Sequence, residues 1–185
     1  MKQALLIIDM QEFIHQRQQA GCGLFPHNAI ENGQTLLDKY REAKLPIIHI
    51  FHHDLHSEDP LHPDRPAAVP LAGYQPLPQE IFFIKHHSSA FSHTGLNDYL
   101  HTQGITQLIV IGAVTGFCVN STVRAAADLG FKVTVIEDAT LSFSLPNPDL
   151  TAELLWKSTL GLLAADFAHV MTLSEWMTKN ENYLK

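Results

Sequence analysis

Short apolar runs recur along this chain, and three of them end where reactive side chains begin. Ala4–Ile8 is followed by Asp9, Ile81–Ile84 by Lys85, and Leu108–Ile111 by the segment Gly112–Cys118. Longer amphipathic stretches separate the runs, which is the pattern of repeated β-α units around a parallel sheet. In such a sheet the carboxyl ends of the strands share one rim, and ligands bind in the crevice there. A carboxylate, an ammonium and a thiol gathered on that rim would make an activated nucleophile. The sequence therefore reads as a cysteine-dependent hydrolase.

The runs place strands near 4–9, 46–51, 81–85, 107–112, 132–137 and 169–173, and helices near 28–43, 94–103, 118–129 and 149–164. The expected fold is α/β: a single domain over 1–185, three layers αβα, with a six-stranded parallel sheet of Rossmann-like type. Asn28 followed by Glu31 reads as a capping box for the first of these helices. Gly104 and Gly130 read as the stops of two others. Residues 54–80 break the rhythm, because Pro60, Pro63, Pro66, Pro70, Pro76 and Pro78 cannot all sit in regular structure. His52–Gln79 is expected to form a long surface loop over the active rim, since loops of this length are usually lids or binding loops.

Composition narrows the function classes. With 185 residues the chain can bury a proper core, and 45% hydrophobic against 17% charged residues marks it as globular rather than disordered. A net charge of −7 argues against nucleic acid or an anionic membrane as partner. No apolar stretch approaches the roughly 20 residues of a spanning helix. The first strand is read as beginning after Met1-Lys2-Gln3, so no signal peptide is expected. Cys22 and Cys118 do not make a disulfide framework, so reduced thiols and a cytoplasmic location are expected. Cys22, between two glycines and with no charged neighbour, reads as incidental.

Cys118 sits where a strand turns into a helix. The first turn of a helix presents unpaired N–H groups and a partial positive charge, which favour thiolate and lower a cysteine's pKa. The same N–H groups can receive the oxyanion of a tetrahedral intermediate. Taken alone, such a cysteine can equally be a small buried residue.

Three segments taken together resemble the isochorismatase-like cysteine hydrolases, a family that includes nicotinamidases, ureidoacrylate amidohydrolases and isochorismatases. They are Asp9-Met10-Gln11, Lys85-x-x-x-Ser89-Ala90-Phe91 and Thr115-x-x-Cys118-Val119-x-x-Thr122-x-Arg124. The resemblance runs to about Ala139, with Glu137-Asp138-Ala139 matching the acidic end of the fifth strand. It implies the isochorismatase-like hydrolase fold and a triad of Asp9, Lys85 and Cys118. It also implies a cis peptide between Ala113 and Val114, with the N–H groups of Val114 and Cys118 as the oxyanion hole. The implied reaction is cleavage of a C–N bond in a small carboxamide or ureido compound through a thioester on Cys118. Phe91 falls at the family's aromatic pocket position, and Val114 and the pair His53-Asp54 are expected to shape the same pocket. Arg124 reads as structural.

The chain departs from the family pattern in three places. Phe13 comes one position earlier than the family's aromatic and Ile14 takes its place, so one of the two is expected to wall the pocket. Gly116 stands where the family often carries an acid. Asp54-x-His56 has the spacing of the metal ligands in nicotinamidases, with His62 as a third candidate for zinc. Its surroundings lack the nicotinamidase pattern, and no metal or other cofactor is expected.

Two rivals remain in the sequence. Isochorismatase-type cleavage of a vinyl ether uses the Asp and Lys but usually no cysteine, and Cys118 counts against it. A non-catalytic, redox-sensing thiol protein would keep the fold and an easily oxidised cysteine. The expected partner is a small-molecule substrate, with neither nucleic acid nor membrane. The resemblance further implies a homo-oligomer, dimer or tetramer, to which the stretch 174–185 with Trp176 and Tyr183 would contribute.

Overall fold

Thirteen elements follow one another in the computed structural model, which describes residues 2–181. The first half holds β1 (Lys2–Ile8), α1 (Phe13–Gln19), β2 (Leu24–Phe25), α2 (Ala29–Glu42), β3 (Ile47–His52) and β4 (Ile81–Lys85). The second holds α3 (Leu96–Thr102), β5 (Ile105–Ala113), α4 (Asn120–Asp128), β6 (Lys132–Phe143), α5 (Ala152–Asp166), β7 (His169–Met171) and α6 (Leu173–Lys179).

Six strands run parallel in the order β7-β6-β5-β1-β3-β4, and the short β2 adds antiparallel to the far end of β6. The chain builds from β1 through β3 to β4, then returns to the other side of β1 for β5, β6 and β7. The direction of winding thus reverses between β1 and β5, the place where an open α/β sheet leaves a crevice.

Alternation along the strands splits the core into two layers. On one face Leu5, Ile7, Ile109 and Ile111 meet Leu36, Leu37 and Tyr40 of α2 and Trp176 of α6. On the other, Leu6, Ile8, Leu108 and Val110 meet Leu96 and Leu100 of α3, Val123 and Ala126 of α4, and Leu160 and Leu163 of α5. Each fully buried side chain of this size contributes roughly 1.5–3 kcal/mol of hydrophobic stabilisation. Both helical layers are therefore fastened by the same central strands that carry Asp9 and lead to Cys118.

The α/β expectation holds, with local differences. β6 does not stop at Glu137 but continues to Phe143, because β5 and β2 both pair with its second half across an irregularity near Gly112. α1 was not expected, since its sequence FIHQRQQ is polar and buries only Ile14. Asn28 makes no side-chain cap; the carbonyl of Pro26 takes the Ala29 N–H instead, so the chain's own turn does the work of the capping box. Gly104 and Gly130 do follow α3 and α4, their N–H groups donating to His101 and Ala127. Trp176 is buried on α6, and Tyr183 lies outside the described residues.

Between β3 and β4 the chain forms turns and one short 3-10 segment, Pro66–Ala68. This segment is fastened rather than loose. Glu12 N–H donates to Val69 O, Leu71 N–H to Met10 O, and the buried Tyr74 hydroxyl to Ile30 O at 2.6 Å.

Candidate active site

Three strand ends deliver the reactive groups to the rim. Asp9 follows β1 with φ 50°, a left-handed conformation that Asp tolerates better than most residues, and its N–H donates to Ile50 O. Lys85 is the last residue of β4 and lies in register with His52, the last of β3. Cys118 sits in one π-helical turn, Thr115–Val119, that leads into α4. β5 reaches that turn through Gly112, where φ is 126° and an added Cβ would collide with the Ile8 backbone. The Ala113–Val114 peptide that follows is cis.

These groups meet around one nitrogen. Lys85 Nζ donates to Asp9 Oδ2 at 2.8 Å, to Cys118 Sγ at 3.2 Å and lies 3.0 Å from His52 Nδ1. An ammonium has three protons to give, and three acceptors surround it. Asp9 and Lys85 are both buried, with side chains 4% and 0% exposed. The other carboxylate oxygen, Asp9 Oδ1, is also buried and has no hydrogen-bond partner among the described residues. A buried acceptor left unpaired is uncommon.

The thiol behaves differently from the helix-terminus expectation. Burial first, and then the charge of Asp9, push Cys118 up to about 12, against the opposing pull of Lys85. The loss of solvent and the facing carboxylate outweigh the lysine. Both influences favour the protonated thiol.

A second set of contacts supports the first. His52 Nε2 lies 3.0 Å from Asp54 Oδ1, and Asp54 Oδ2 accepts the Leu61 N–H at 2.9 Å. Gln11 clamps the His52 backbone from both sides, its Oε1 accepting the His52 N–H and its Nε2 donating to His52 O and Ala68 O. The sequence reading passed over His52. Its signal was the strand register: as the last residue of β3, it stands beside the last residue of β4.

A cavity of about 410 Å³ opens over these groups. Asp9, His52, Asp54 and Cys118 line it together with Phe13, Val114 and Phe117, and Pro60, Leu61 and Ala67 come from the long loop. Gln16 and Arg17 of the unexpected α1 also reach it. Of the two pocket candidates in that region, Phe13 lines the cavity and Ile14 is fully buried in the core, because the helix turns it toward the sheet. His53 and Phe91 do not line it. His53 carries its carbonyl to the His86 ring, and Phe91 stacks on Phe131 with centroids 5.9 Å apart. The Ser89-Ala90-Phe91 segment instead braces the nucleophile's helix, Ala90 N–H donating to Thr122 Oγ1 at 3.0 Å. Arg124 lies over the Phe167 ring and binds Asn120, a structural arrangement.

The metal candidates do not converge. Asp54 commits one oxygen to His52 and the other to Leu61, His56 is exposed, and His62 Nδ1 takes the Asp64 N–H. Among the described residues, the group with ligand-like spacing is Asp9, His52 and Cys118. The same three residues each contact Lys85 Nζ, so a divalent ion held among them would compete with the ammonium. These residues fit a lysine rather than a metal.

Comparison with known proteins agrees with this architecture. The profile of the isochorismatase domain matches residues 3–175. The uncharacterised isochorismatase family protein YddQ of Bacillus subtilis is 28% identical, covering 96% of this chain and 99% of its own. A nicotinamidase of Escherichia coli is 32% identical over 63% of this chain and 51% of its own length. Among solved structures, a putative hydrolase of the isochorismatase family from Chromobacterium violaceum superimposes with a TM-score of 0.91 at 29% identity, covering 98% of this chain and 94% of that one.

Proposed function

Because the chain belongs to the isochorismatase family of hydrolases, we propose that it cleaves the C–N bond of a small carboxamide or ureido compound, with Cys118 as nucleophile and Asp9 and Lys85 as its partners. The observation that carries this reading is the buried Lys85 ammonium touching both the Asp9 carboxylate and the Cys118 thiol at the cavity floor.

With the thiol protonated at rest, attack and deprotonation belong to one step. Asp9 takes the Cys118 proton as sulfur adds to the carbonyl carbon, and Lys85 stabilises the developing thiolate. The N–H groups of Val114 and Cys118 stabilise the oxyanion. Collapse breaks the C–N bond, and the protonated Asp9 returns its proton to the departing nitrogen. The thioester remains on Cys118. Asp9 then takes a proton from water as the hydroxide adds to the thioester carbonyl. Collapse breaks the C–S bond, the acid leaves, and Asp9 returns the proton to the Cys118 sulfur.

The raised thiol also weighs between the rivals. A redox sensor works through a resting thiolate, and the burial of Cys118 opposes one. Vinyl ether cleavage would leave Cys118 without a task. The relative named nicotinamidase supports the amide reading. A cytoplasmic homo-oligomer accompanies this reading as a proposal, and sedimentation of the purified protein checks its assembly. Among the described residues no helix is long and apolar enough to cross a membrane.

The test is ammonia release from a panel of small amides and ureido acids, with wild type beside Cys118→Ala. Release by wild type alone supports the cysteine amidohydrolase. Equal release by both proteins removes Cys118 from the mechanism.

A further inference from the structure

We infer that His52 is a positioning residue for the nucleophile: Asp54 holds its ring in one tautomer, and the ring's bare Nδ1 takes the third proton of Lys85. The inference rests on the triad reading above and concerns a residue outside the triad.

The argument is one of donors and acceptors. Lys85 Nζ has donors only, so the His52 Nδ1 atom at 3.0 Å must accept. The remaining ring proton then lies on Nε2 and points at Asp54 Oδ1, 3.0 Å away. Asp54 cannot swing off, because its second oxygen holds the Leu61 N–H while its own N–H donates to Leu61 O. The backbone under the ring is equally fixed by the Gln11 clamp. His52 is thereby held at its backbone and at both ring nitrogens.

The consequence falls on the other two protons of the ammonium. With one proton tied to His52, the remaining two are directed to Asp9 Oδ2 and Cys118 Sγ. Remove that acceptor and a buried ammonium loses a third of its hydrogen bonding, which costs free energy for a side chain with no exposed surface. The lysine must then turn, and turning spoils its contact with sulfur. Orienting partners one step removed from the reacting atoms commonly matter by roughly tenfold to a hundredfold.

The experiment compares His52→Leu with His52→Asn. Asparagine carries an oxygen near the position of Nδ1 and so keeps an acceptor for Lys85; leucine does not. Two readouts are taken at fixed pH: the rate of Cys118 alkylation by iodoacetamide, and kcat against KM on whichever amide the wild type turns over. We expect His52→Leu to alkylate at least several-fold more slowly and to lose kcat with little change in KM, and His52→Asn to recover most of both. Equal defects in the two variants, or wild-type alkylation in His52→Leu, would overturn the assignment. Should His52→Leu fail to fold, His52→Ala removes the acceptor with less bulk and is judged by the same outcomes. Alkylation needs no substrate, so a wild type that alkylates but hydrolyses no amide counts against the proposed reaction and leaves this inference to its own test.

Discussion

β4 carries a buried charge at each end of its five residues, and the two ends are wired for opposite purposes. Just before the strand, Glu80 accepts from Arg41 Nε, from an Arg41 terminal nitrogen, from His49 and from the Leu77 N–H. At its last residue, Lys85 meets Asp9, Cys118 and His52. Both clusters combine a carboxylate, a cation and a histidine away from solvent. In the first, both carboxylate oxygens are engaged. In the second, Asp9 Oδ1 is left unpaired beneath a cavity. The first cluster leaves only an imidazole nitrogen, His49 Nδ1, without a partner among the described residues. The second leaves a carboxylate oxygen open toward the cavity, and a carboxylate acceptor is the group a proton-transfer role would use.

The largest effects should separate the two clusters by kind. Cys118→Ala is expected to reduce amide turnover by roughly 10⁴-fold or more while leaving the melting temperature within a few degrees, since alanine fits a helical turn. Asp9→Asn keeps the shape but cannot accept the thiol proton, and turnover should fall about 10²- to 10⁴-fold. Steady-state kinetics beside a thermal melt check both. A variant of either residue that turns over at the wild-type rate would erase the distinction drawn here.

Glu80→Gln should do the reverse. It strips the partly exposed Arg41 of its counter-charge and is expected to cost roughly 1–3 kcal/mol in a urea titration. Iodoacetamide should still find Cys118 at the wild-type rate. If alkylation changes with Glu80, the two ends of β4 are one network and not two.

Acid should act through the same structural cluster. Burial alone would raise the Glu80 carboxyl, but Arg41, the Leu77 N–H and His49 together hold it down to about 2. Its contribution is present above the ordinary carboxyl range and is lost as pH falls from about 4.5 toward 2. His49 is lowered by burial, so the unfolded chain takes its proton first as pH drops below the usual imidazole value. Both losses run in one direction. Denaturant midpoints measured downward from neutral pH should fall first gently and then steeply, and Glu80→Gln should flatten the steep part.

How much of this could be read beforehand follows from what each element announces locally. The strands were legible because apolar runs end abruptly in charge, and Asp9, Lys85 and Cys118 were legible because each sits just past such an end. The second half of β6 was not, because Glu137 and Asp138 look like a stop and only pairing with β5 and β2 carries the strand past them. α1 was hidden by its polar sequence, and with it the choice of Phe13 over Ile14 and the reach of Gln16 and Arg17 into the cavity. His52 was one histidine among several. Nothing local distinguishes it from His53, and only the register of β3 on β4 brings one of them to Lys85. The raised thiol was missed for a related reason: a sequence shows the helix start near Cys118 but not the carboxylate facing it.

The long loop gives the finest test of the comparison, because it touches both clusters. Leu61 is bound to Asp54 on the rim side, while Gly73 and Gln75 give their carbonyls to Arg41 on the other. Between them the fully buried Tyr74 hydroxyl donates to Ile30 O. Tyr74→Phe removes that one bond and leaves the ring in place. The expected loss is about 1 kcal/mol, or about 2–4 °C in melting temperature for a chain of this size. The rim end of the loop has its own fastenings at Gln11, Met10 and Asp54, so alkylation of Cys118 should stay as it was. A faster reaction in Tyr74→Phe would mean that the cover over the thiol is held from the structural side, and that the cluster at Glu80 reaches the chemistry through the loop.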